Sequence, residues 1–301
     1  MNAVIETHSV THRYGKVAAV QDLQLAVPEG SIYAFLGPNG AGKTTTIKLI
    51  LNLLQPTEGR ATIFGVESTR LGPAEFARIG YVSENQQLPD WMTVQQLVDF
   101  CRPMYPSWDS DFCSRMLKDF LLPADRKIKN LSRGMRMKAS LLTSLAYRPR
   151  LLILDEPFTG LDPVVRDELI HGILELTEQE AWSVFISSHD INEVERFADW
   201  AGFIDGGRLK VSETTANLTG RFKRLECVTP TDAHLASPVP RSWLLPEINS
   251  RSFRVIESEY VPIDSEKSLA AVLPGATEVT VTDLSLREIF IALTQSSRSK
   301  P

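Results

Sequence analysis

A glycine-rich loop between an apolar segment and a helical segment constrains the fold of this chain most. Residues 31–36 (SIYAFL) form a short apolar run typical of a buried strand, and residues 45–54 (TTIKLILNLL) have the apolar spacing of a helix. Between them, residues 37–44 read GPNGAGKT. A strand, a glycine loop and a helix in this order indicate a crossover unit of a parallel sheet, so an α/β fold is predicted.

This loop fits the pattern G-x-x-x-x-G-K-[ST] with the strand before it and the helix after it that the pattern requires. Its backbone N–H groups are expected to surround the phosphates of ATP, with the helix dipole opposing their charge. Lys43 is expected to reach the β and γ oxygens, and Thr44 to offer its hydroxyl to Mg²⁺. The predicted ATP-binding residues of the loop are Gly37, Pro38, Asn39, Gly40, Ala41, Gly42, Lys43, Thr44 and Thr45.

Two carboxylates follow a second apolar strand, LLIL at residues 151–154. Parallel sheets place their sites at the carboxyl ends of strands, where Asp155 and Glu156 are expected to lie. Alternation along the strand puts the two side chains on opposite sides, Asp155 toward Mg²⁺ and Glu156 toward an attacking water. Taken alone, the pair would be interpreted as an acidic turn before Pro157, but its combination with the P-loop favours a site.

The pattern of apolar residues and prolines divides the chain into a larger and a smaller domain. Residues 4–27 suit an antiparallel strand pair, 85–147 have helical periodicity, 183–188 form a strand and 200–210 a hairpin. These features predict a domain over 1–220 with an inserted helical subdomain. Residues 221–301 are interrupted by prolines and predict a small α+β accessory domain that ends in an amphipathic helix.

Composition excludes several classes of protein. The three cysteines, Cys101, Cys113 and Cys227, are widely spaced, which argues against a disulfide framework or a zinc site and suits the cytosol. No signal peptide and no apolar run long enough to span a bilayer is found. The net charge of −5 falls on residues 1–220, so no nucleic-acid partner is expected.

Residues 4–220 resemble an ATP-binding cassette (ABC) transporter ATPase subunit, with the motifs in the family's order. The resemblance implies a P-loop core with an N-terminal antiparallel part and an inserted helical subdomain. It also implies roles for three further residues. Tyr14 would stack on adenine, Asp162 in TGLDP would touch an opposing subunit, and His189 would contact the γ-phosphate.

Two positions depart from the family pattern. Where the family has a glutamine that reaches Mg²⁺, this chain has Glu84, and either Glu84 or Gln86 is expected to take that role. Where the family shows LSGGQ, residues 131–135 read LSRGM, which keeps Ser132 and Gly134 as the groups that would face the γ-phosphate. Ser132 is predicted to be an N-cap and Arg133 the first helical residue, where arginine fits and adds positive charge.

The resemblance implies ATP hydrolysis at two composite sites in a head-to-tail dimer. Each ATP would lie between the P-loop of one subunit and the segment 132–134 of the other. Glu156 would be the general base, His189 would support the γ-phosphate, and Asp155, Thr44 and Glu84 would serve Mg²⁺.

The expected partners are a second ATPase subunit, identical or not, and a membrane permease at the cytoplasmic face of the cell membrane. Resemblance to ABC-2-type exporters favours export. The permease is expected to dock near four residues of the helical subdomain: Trp91, Met92, Tyr105 and Trp108. Two alternatives stay open, a soluble ABC ATPase acting on ribosomes or DNA and a catalytically weak half of a heterodimer.

Overall fold

The computed structural model describes residues 2–84, 86–180, 182–230, 234–236 and 238–298 of the 301-residue chain. Its backbone divides into two compact units, Met1–Ser212 and Glu213–Pro301. The sequence placed this boundary between residues 220 and 221, at the end of a helix that the structure assigns to the second unit. Within the described residues, no helix combines the length and the apolarity needed to cross a membrane.

The first unit alternates strands and helices, which confirms the predicted α/β class. Its strands are β1 (Ala3–Tyr14), β2 (Val17–Pro28), β3 (Ile32–Leu36), β4 (Glu58–Ile63), β5 (Val66–Glu67), β6 (Ile79–Ser83), β7 (Leu151–Asp155), β8 (Ser183–Ser188), β9 (Trp200–Asp205) and β10 (Arg208–Thr214), the last of which ends in the second unit. Its helices are α1 (Lys43–Ile50), α2 (Pro73–Phe76), α3 (Val94–Cys101), α4 (Ser110–Asp119), α5 (Arg133–Leu145), α6 (Pro163–Glu180) and α7 (Ile191–Val194).

The strands of the first unit form two sheets. The N-terminal sheet is antiparallel with the order β2-β1-β4-β5, and the predicted strand pair at its edge turns over after Tyr14. The central sheet has the order β10-β9-β3-β8-β7-β6, in which the strands from β9 to β6 pair in parallel. Strands β3, β7 and β8 are buried along their whole length, which explains their continuous apolar sequences.

The register of the central sheet brings four strand ends to one edge. Leu36 at the end of β3 lies opposite Ser188 at the end of β8. Asp155 at the end of β7 lies opposite Ser187 on one side and Ser83 on the other. Because the strands are parallel, the segments that follow them all leave from this edge.

Three helices between β6 and β7 form the predicted helical subdomain, and each begins at a polar cap. Thr93 accepts a hydrogen bond from the backbone N–H of Gln96 to start α3, and Asp109 caps α4 in the same way. Ser132 accepts from the backbone N–H of Met135, with an Oγ···N distance of 3.2 Å. This confirms that Ser132 is an N-cap and that Arg133 is the first helical residue.

The aromatic docking surface predicted on this subdomain is only partly exposed. Trp91 is 68% exposed, but Met92 is 6% exposed, because its backbone carbonyl pairs with the N–H of Ile128 and fixes the segment inside the subdomain. Tyr105 stacks on Tyr147 with ring centroids 3.8 Å apart. The Met92 side chain is therefore part of the core and offers no surface to a docking partner.

The second unit has its own sheet and its own apolar core. Strands β11 (Lys223–Val228), β12 (Trp243–Ile248), β13 (Ser252–Glu257) and β14 (Thr277–Asp283) pair antiparallel in the order β12-β13-β11-β14. Its helices are α8 (Thr215–Arg221), α9 (Pro262–Val272) and α10 (Leu286–Arg298). Leu225, Phe253 and Val255 belong to the buried core, so this part of the chain has the predicted α+β character.

The core of the central sheet generates a prediction about stability. The buried ring of Phe185 lies 5.7 Å from the ring of Tyr33 and 5.4 Å from that of Phe35, measured between centroids. Phe185→Ala would leave a cavity and is expected to lower the free energy of unfolding of the first unit by about 3–5 kcal/mol. Urea unfolding, monitored through hydrogen exchange of the backbone amides in β3 and β8, measures this loss of stability.

The matched control is Phe100→Ala, since Phe100 lies on the surface of α3. This change is expected to alter the free energy of unfolding by less than about 1 kcal/mol. Equal losses for the two variants would contradict the assignment of Phe185 to the core.

Candidate active site

The loop between β3 and α1 has a backbone that residues other than glycine rarely adopt. Gly40 and Gly42 have φ angles of 79° and 108°, in the region that favours glycine. A Cβ atom on Gly42 would come within 2.5 Å of the carbonyl oxygen of Ala19 in β2. The glycines therefore allow the loop to lie against the sheet at the N-terminus of α1, the geometry that a phosphate-binding loop needs.

Lys43 joins this loop to the end of β7. Its Nζ atom donates to the carbonyl oxygens of Gly37 at 2.6 Å and Pro38 at 3.1 Å. The same atom lies 3.0 Å from Oε1 of Glu156 in an ion pair that is largely shielded from solvent. The P-loop lysine and the second carboxylate, which the sequence placed in one site, are thus in direct contact.

Asp155 is buried and receives two hydrogen bonds on the same oxygen, Oδ1. Ser187 Oγ donates at 2.7 Å, and Thr44 Oγ1 donates at 3.1 Å. Burial raises the pKa of the Asp155 carboxyl, although these two hydrogen bonds act in the opposite direction. The structure therefore brings together Thr44 and Asp155, as the sequence predicted.

The oxygens of Thr44 and Asp155 fit a hard cation such as Mg²⁺, which prefers oxygen ligands. Across the described ranges, no group of three or more His, Cys, Asp or Glu side chains is placed to hold a metal ion by itself. Phosphate oxygens of a nucleotide would have to complete the coordination shell, which is how Mg²⁺ commonly binds.

The carboxylate of Glu156 is held at both oxygens. Lys43 contacts Oε1, while Nδ1 of His189 lies 2.7 Å from Oε2 and Thr159 Oγ1 donates to Oε2 at 3.2 Å. Burial favours the neutral acid, but the hydrogen bond with His189 and the Lys43 ammonium outweigh it and hold the pKa of the Glu156 carboxyl below its usual value. Glu156 is therefore a carboxylate at neutral pH.

Tyr14 lies at the end of β1, is 51% exposed, and packs edge-on against His12 with centroids 4.7 Å apart. Its partner strand β2 runs past the P-loop, where the Ala19 carbonyl approaches Gly42. The exposed ring has the freedom that base stacking requires, and its contact with adenine stays a prediction.

A second group of predicted site residues lies at the starts of α5 and α6, apart from the cluster around Lys43. It consists of Ser132, Gly134 and Asp162. Ser132 caps α5, and Asp162 Oδ1 accepts from the N–H of Val165 at 3.0 Å to cap α6. A Cβ atom on Gly134 would come within 2.8 Å of Val165 Cγ1, so the two helix starts pack closely. In the part of the chain that is described, the hydrogen bonds of Ser132 stay within α5 and do not reach the cluster around Lys43.

Glu84 is found with a partner that the sequence did not predict. Its Oε1 atom accepts from an Nη atom of Arg133 at 2.7 Å, while its backbone N–H donates to the carbonyl of Asp155 at 2.9 Å. Gln86, the alternative candidate for the Mg²⁺ role, has an exposed side chain. Neither side chain contacts Thr44 or Asp155 in the described structure, so their metal roles stay predictions.

Sequence reasoning also missed Ser187 and Thr159, which position the two carboxylates. A signal for Ser187 exists: it lies in the neighbouring parallel strand directly opposite Asp155, so both side chains face the same side of the sheet. Thr159 lies in the turn after Glu156, and nothing in its sequence context separates it from an ordinary turn residue.

Comparison with known proteins identifies the family. The sequence model of the ABC transporter family matches residues 20–159, and one described as an AAA domain, putative AbiEii toxin, type IV TA system, matches residues 124–195. The bacitracin transport ATP-binding protein BcrA of Bacillus licheniformis is 34% identical over 211 residues, 69% of this chain and 69% of that protein. The Nod factor export ATP-binding protein I of Cupriavidus pinatubonensis is 35% identical over 220 residues, 71% of this chain and 66% of that protein.

The fold agrees with this identification. A dimeric ATP-binding cassette solved in a post-hydrolysis state with ADP and phosphate has a TM-score of 0.63 and 23% identity, and the match covers 70% of this chain and 98% of that one. The ABC transporter match includes the P-loop, the segment at the start of α5 and both carboxylates that follow β7. The chain therefore belongs to the ABC transporter family, as an ATP-binding subunit with ATPase activity.

Proposed function

We propose that the chain hydrolyses ATP in a head-to-tail dimer and drives export through a separate membrane permease, at the cytoplasmic face of the cell membrane. The observation that carries this proposal is the cluster of Lys43, Asp155, Glu156 and His189 at one edge of the central sheet. Export is supported by the relative named for Nod factor export, and the dimer by a dimeric cassette of the same fold.

Binding of ATP begins at the P-loop. Phosphate oxygens are charged acceptors and attract an ammonium more strongly than the carbonyl oxygens of Gly37 and Pro38, which now hold Lys43. Lys43 therefore turns toward the β and γ phosphates and leaves Oε1 of Glu156 free. The adenine ring stacks on the exposed face of Tyr14.

Hydrolysis uses Glu156 as the general base. Its carboxylate takes a proton from water while the water oxygen bonds to the γ-phosphorus and the bond to the ADP oxygen breaks. His189 stays within hydrogen-bonding distance of Oε2 and orients the carboxylate. Thr44 and Asp155 would hold Mg²⁺, which neutralises phosphate charge when bound.

The second half of each site comes from the other subunit. Ser132 is exposed at the start of α5, where its hydroxyl and the free amides of the first turn favour an anion. Asp162 is exposed at the start of α6, which packs beside α5. The start of α5 would meet the γ-phosphate of the ATP held by the P-loop of the partner cassette, and Asp162 would touch the partner subunit beside it.

The permease would dock in an apolar groove of about 400 Å³ between the central sheet and the helical subdomain. Leu53 and Phe76, which line this groove, are 59% and 39% exposed, more than core residues of these types. The residues that define the groove are Leu51, Leu53, Phe76, Tyr81, Gln86 and Tyr105. A cytoplasmic helix of the permease, with one apolar face, is the occupant that fits this lining.

Glu156→Gln is expected to lower ATP turnover by about 10²–10⁴-fold, because the amide cannot accept the proton from water. Binding of ATP is expected to persist, since the P-loop is unchanged. Steady-state phosphate release and equilibrium binding of a labelled nucleotide measure the two effects. Glu58→Gln, at an exposed position of β4, is the control and is expected to keep normal turnover, while near-normal turnover in Glu156→Gln would refute the proposed base.

Ser132→Arg is expected to abolish turnover and spare ATP binding, because the side chain would fill the space that the γ-phosphate of the partner's ATP needs. Ser132→Asp provides the matched control for the helix cap, since aspartate keeps the cap but repels phosphate. Both variants are expected to fold and to lose ATP-dependent dimerisation, which light scattering in the Glu156→Gln background measures. Dimerisation of Ser132→Arg at the ATP concentration that suffices for the parent would contradict the composite site.

Leu53→Arg is expected to prevent copurification with the permease from membranes, because it places an unpaired charge in the apolar groove. The purified chain should keep its turnover within about twofold, as a surface substitution would. Leu121→Arg, at another exposed leucine, is the control and should still copurify. If Leu53→Arg still copurifies with the same membrane protein, this groove is not the docking site. If the unaltered chain copurifies with ribosomes or DNA instead, the alternative of a soluble ABC ATPase is favoured.

A further inference from the structure

The two departures from the family pattern lie in contact with each other. Arg133 and Glu84 are 49 residues apart in the sequence, yet their side chains meet at 2.7 Å. The exposed fractions are 52% for Arg133 and 29% for Glu84, so the carboxylate is the more shielded partner. The glutamate found in place of glutamine and the arginine found in place of glycine therefore form one ion pair.

Arg133 also contacts the loop that follows β7. A Cβ atom on Gly160 would come within 2.5 Å of a guanidinium Nη atom and 2.8 Å of Cζ, so the flat group lies on the bare backbone of this glycine. Gly160 has a φ angle of 69°, which few other residues adopt. The guanidinium is therefore held between the carboxylate of Glu84 and the loop at 159–162.

The pair connects three segments of the proposed ATPase. Glu84 follows β6 and bonds through its backbone to Asp155. Arg133 begins α5 directly after Ser132, and Gly160 lies between Thr159, which contacts Glu156, and Asp162. The ion pair thus lies where the end of β6, the start of α5 and the loop before α6 meet.

We propose that Glu84 is a positioning residue that acts through Arg133 and is not a Mg²⁺ ligand. A guanidinium 2.7 Å from the carboxylate compensates its charge and would repel a divalent cation placed on the same group. Through this contact, Glu84 holds Arg133 against Gly160 and keeps Ser132 and Asp162 in one rigid surface. The inference rests on the proposed composite site and names how this chain builds its half of it.

The test exchanges both residues for those of the family pattern. Arg133→Gly and Glu84→Gln are each expected to lower turnover by about threefold to tenfold, since each leaves one charge without its partner. The double variant is expected to be faster than either single variant. The Mg²⁺ concentration that gives half-maximal turnover should change by less than about twofold in the two single variants and the double variant, because Thr44 and Asp155 are intact.

Three results would overturn the proposal. One is a double variant that shows the product of the two single losses, since the residues would then act independently. Another is a Mg²⁺ half-saturation that rises about tenfold or more in Glu84→Gln but not in Arg133→Gly, which would make Glu84 a metal ligand. The third is an equal loss in Arg136→Ala, the matched control, which breaks the ion pair with Asp90 one turn further along α5.

A measurement without nucleotide tests the contact itself. Hydrogen exchange at residues 131–136 and 158–162 is expected to rise alike in Arg133→Gly and Glu84→Gln, and less in Arg136→Ala. Unchanged exchange in both single variants would overturn the positioning role even if turnover falls. A failure of the proposed composite site can be told apart from a failure of this inference. It would appear as normal ATP-dependent dimerisation of Ser132→Arg, while the changes in hydrogen exchange would still be observed.

Discussion

The candidate site depends on the in-register parallel pairing of β3, β8, β7 and β6. This register places Asp155 opposite Ser187, so the two side chains share one side of the sheet and meet at 2.7 Å. A shift of one residue in β7 would turn Asp155 to the other side, away from Ser187 and Thr44. The buried apolar sequences of β3, β7 and β8 hold the register, so core packing fixes the geometry of the polar groups above it.

The residue proposed as the general base has an uncommon backbone. Glu156 has a φ angle of 53°, a left-handed conformation that costs a non-glycine residue about 1–2 kcal/mol. Its backbone N–H donates to Ser187 Oγ at 3.0 Å, which helps to hold this conformation. The turn directs the carboxylate toward Lys43 and His189 instead of continuing β7. The strain thus lies where the direction of one side chain matters most.

Local signals in the sequence were enough for most of the fold and for the motif residues. The P-loop, the carboxylates after β7 and the cap at Ser132 each depend on a few consecutive residues and on the elements beside them. Contacts between distant segments carry no such signal, and the pairing of Glu84 with Arg133 is the main example. The sequence left the burial of Met92 open for the same reason, since this burial depends on the pairing of its carbonyl with the N–H of Ile128.

The partner of Arg133 also changes how the start of α5 attracts an anion. The sequence suggested that the arginine adds its charge to the positive end of the helix. A lone cation at that end is unfavourable by about 0.3–1 kcal/mol, whereas a carboxylate there is favourable. With Glu84 at 2.7 Å, the two charges largely cancel. In the proposed composite site, the free amides of the first turn and the Ser132 hydroxyl would then be the groups that attract phosphate. The helical backbone suits arginine at this position, and the contact with Glu84 offsets the cost of placing its charge at the positive end of the helix.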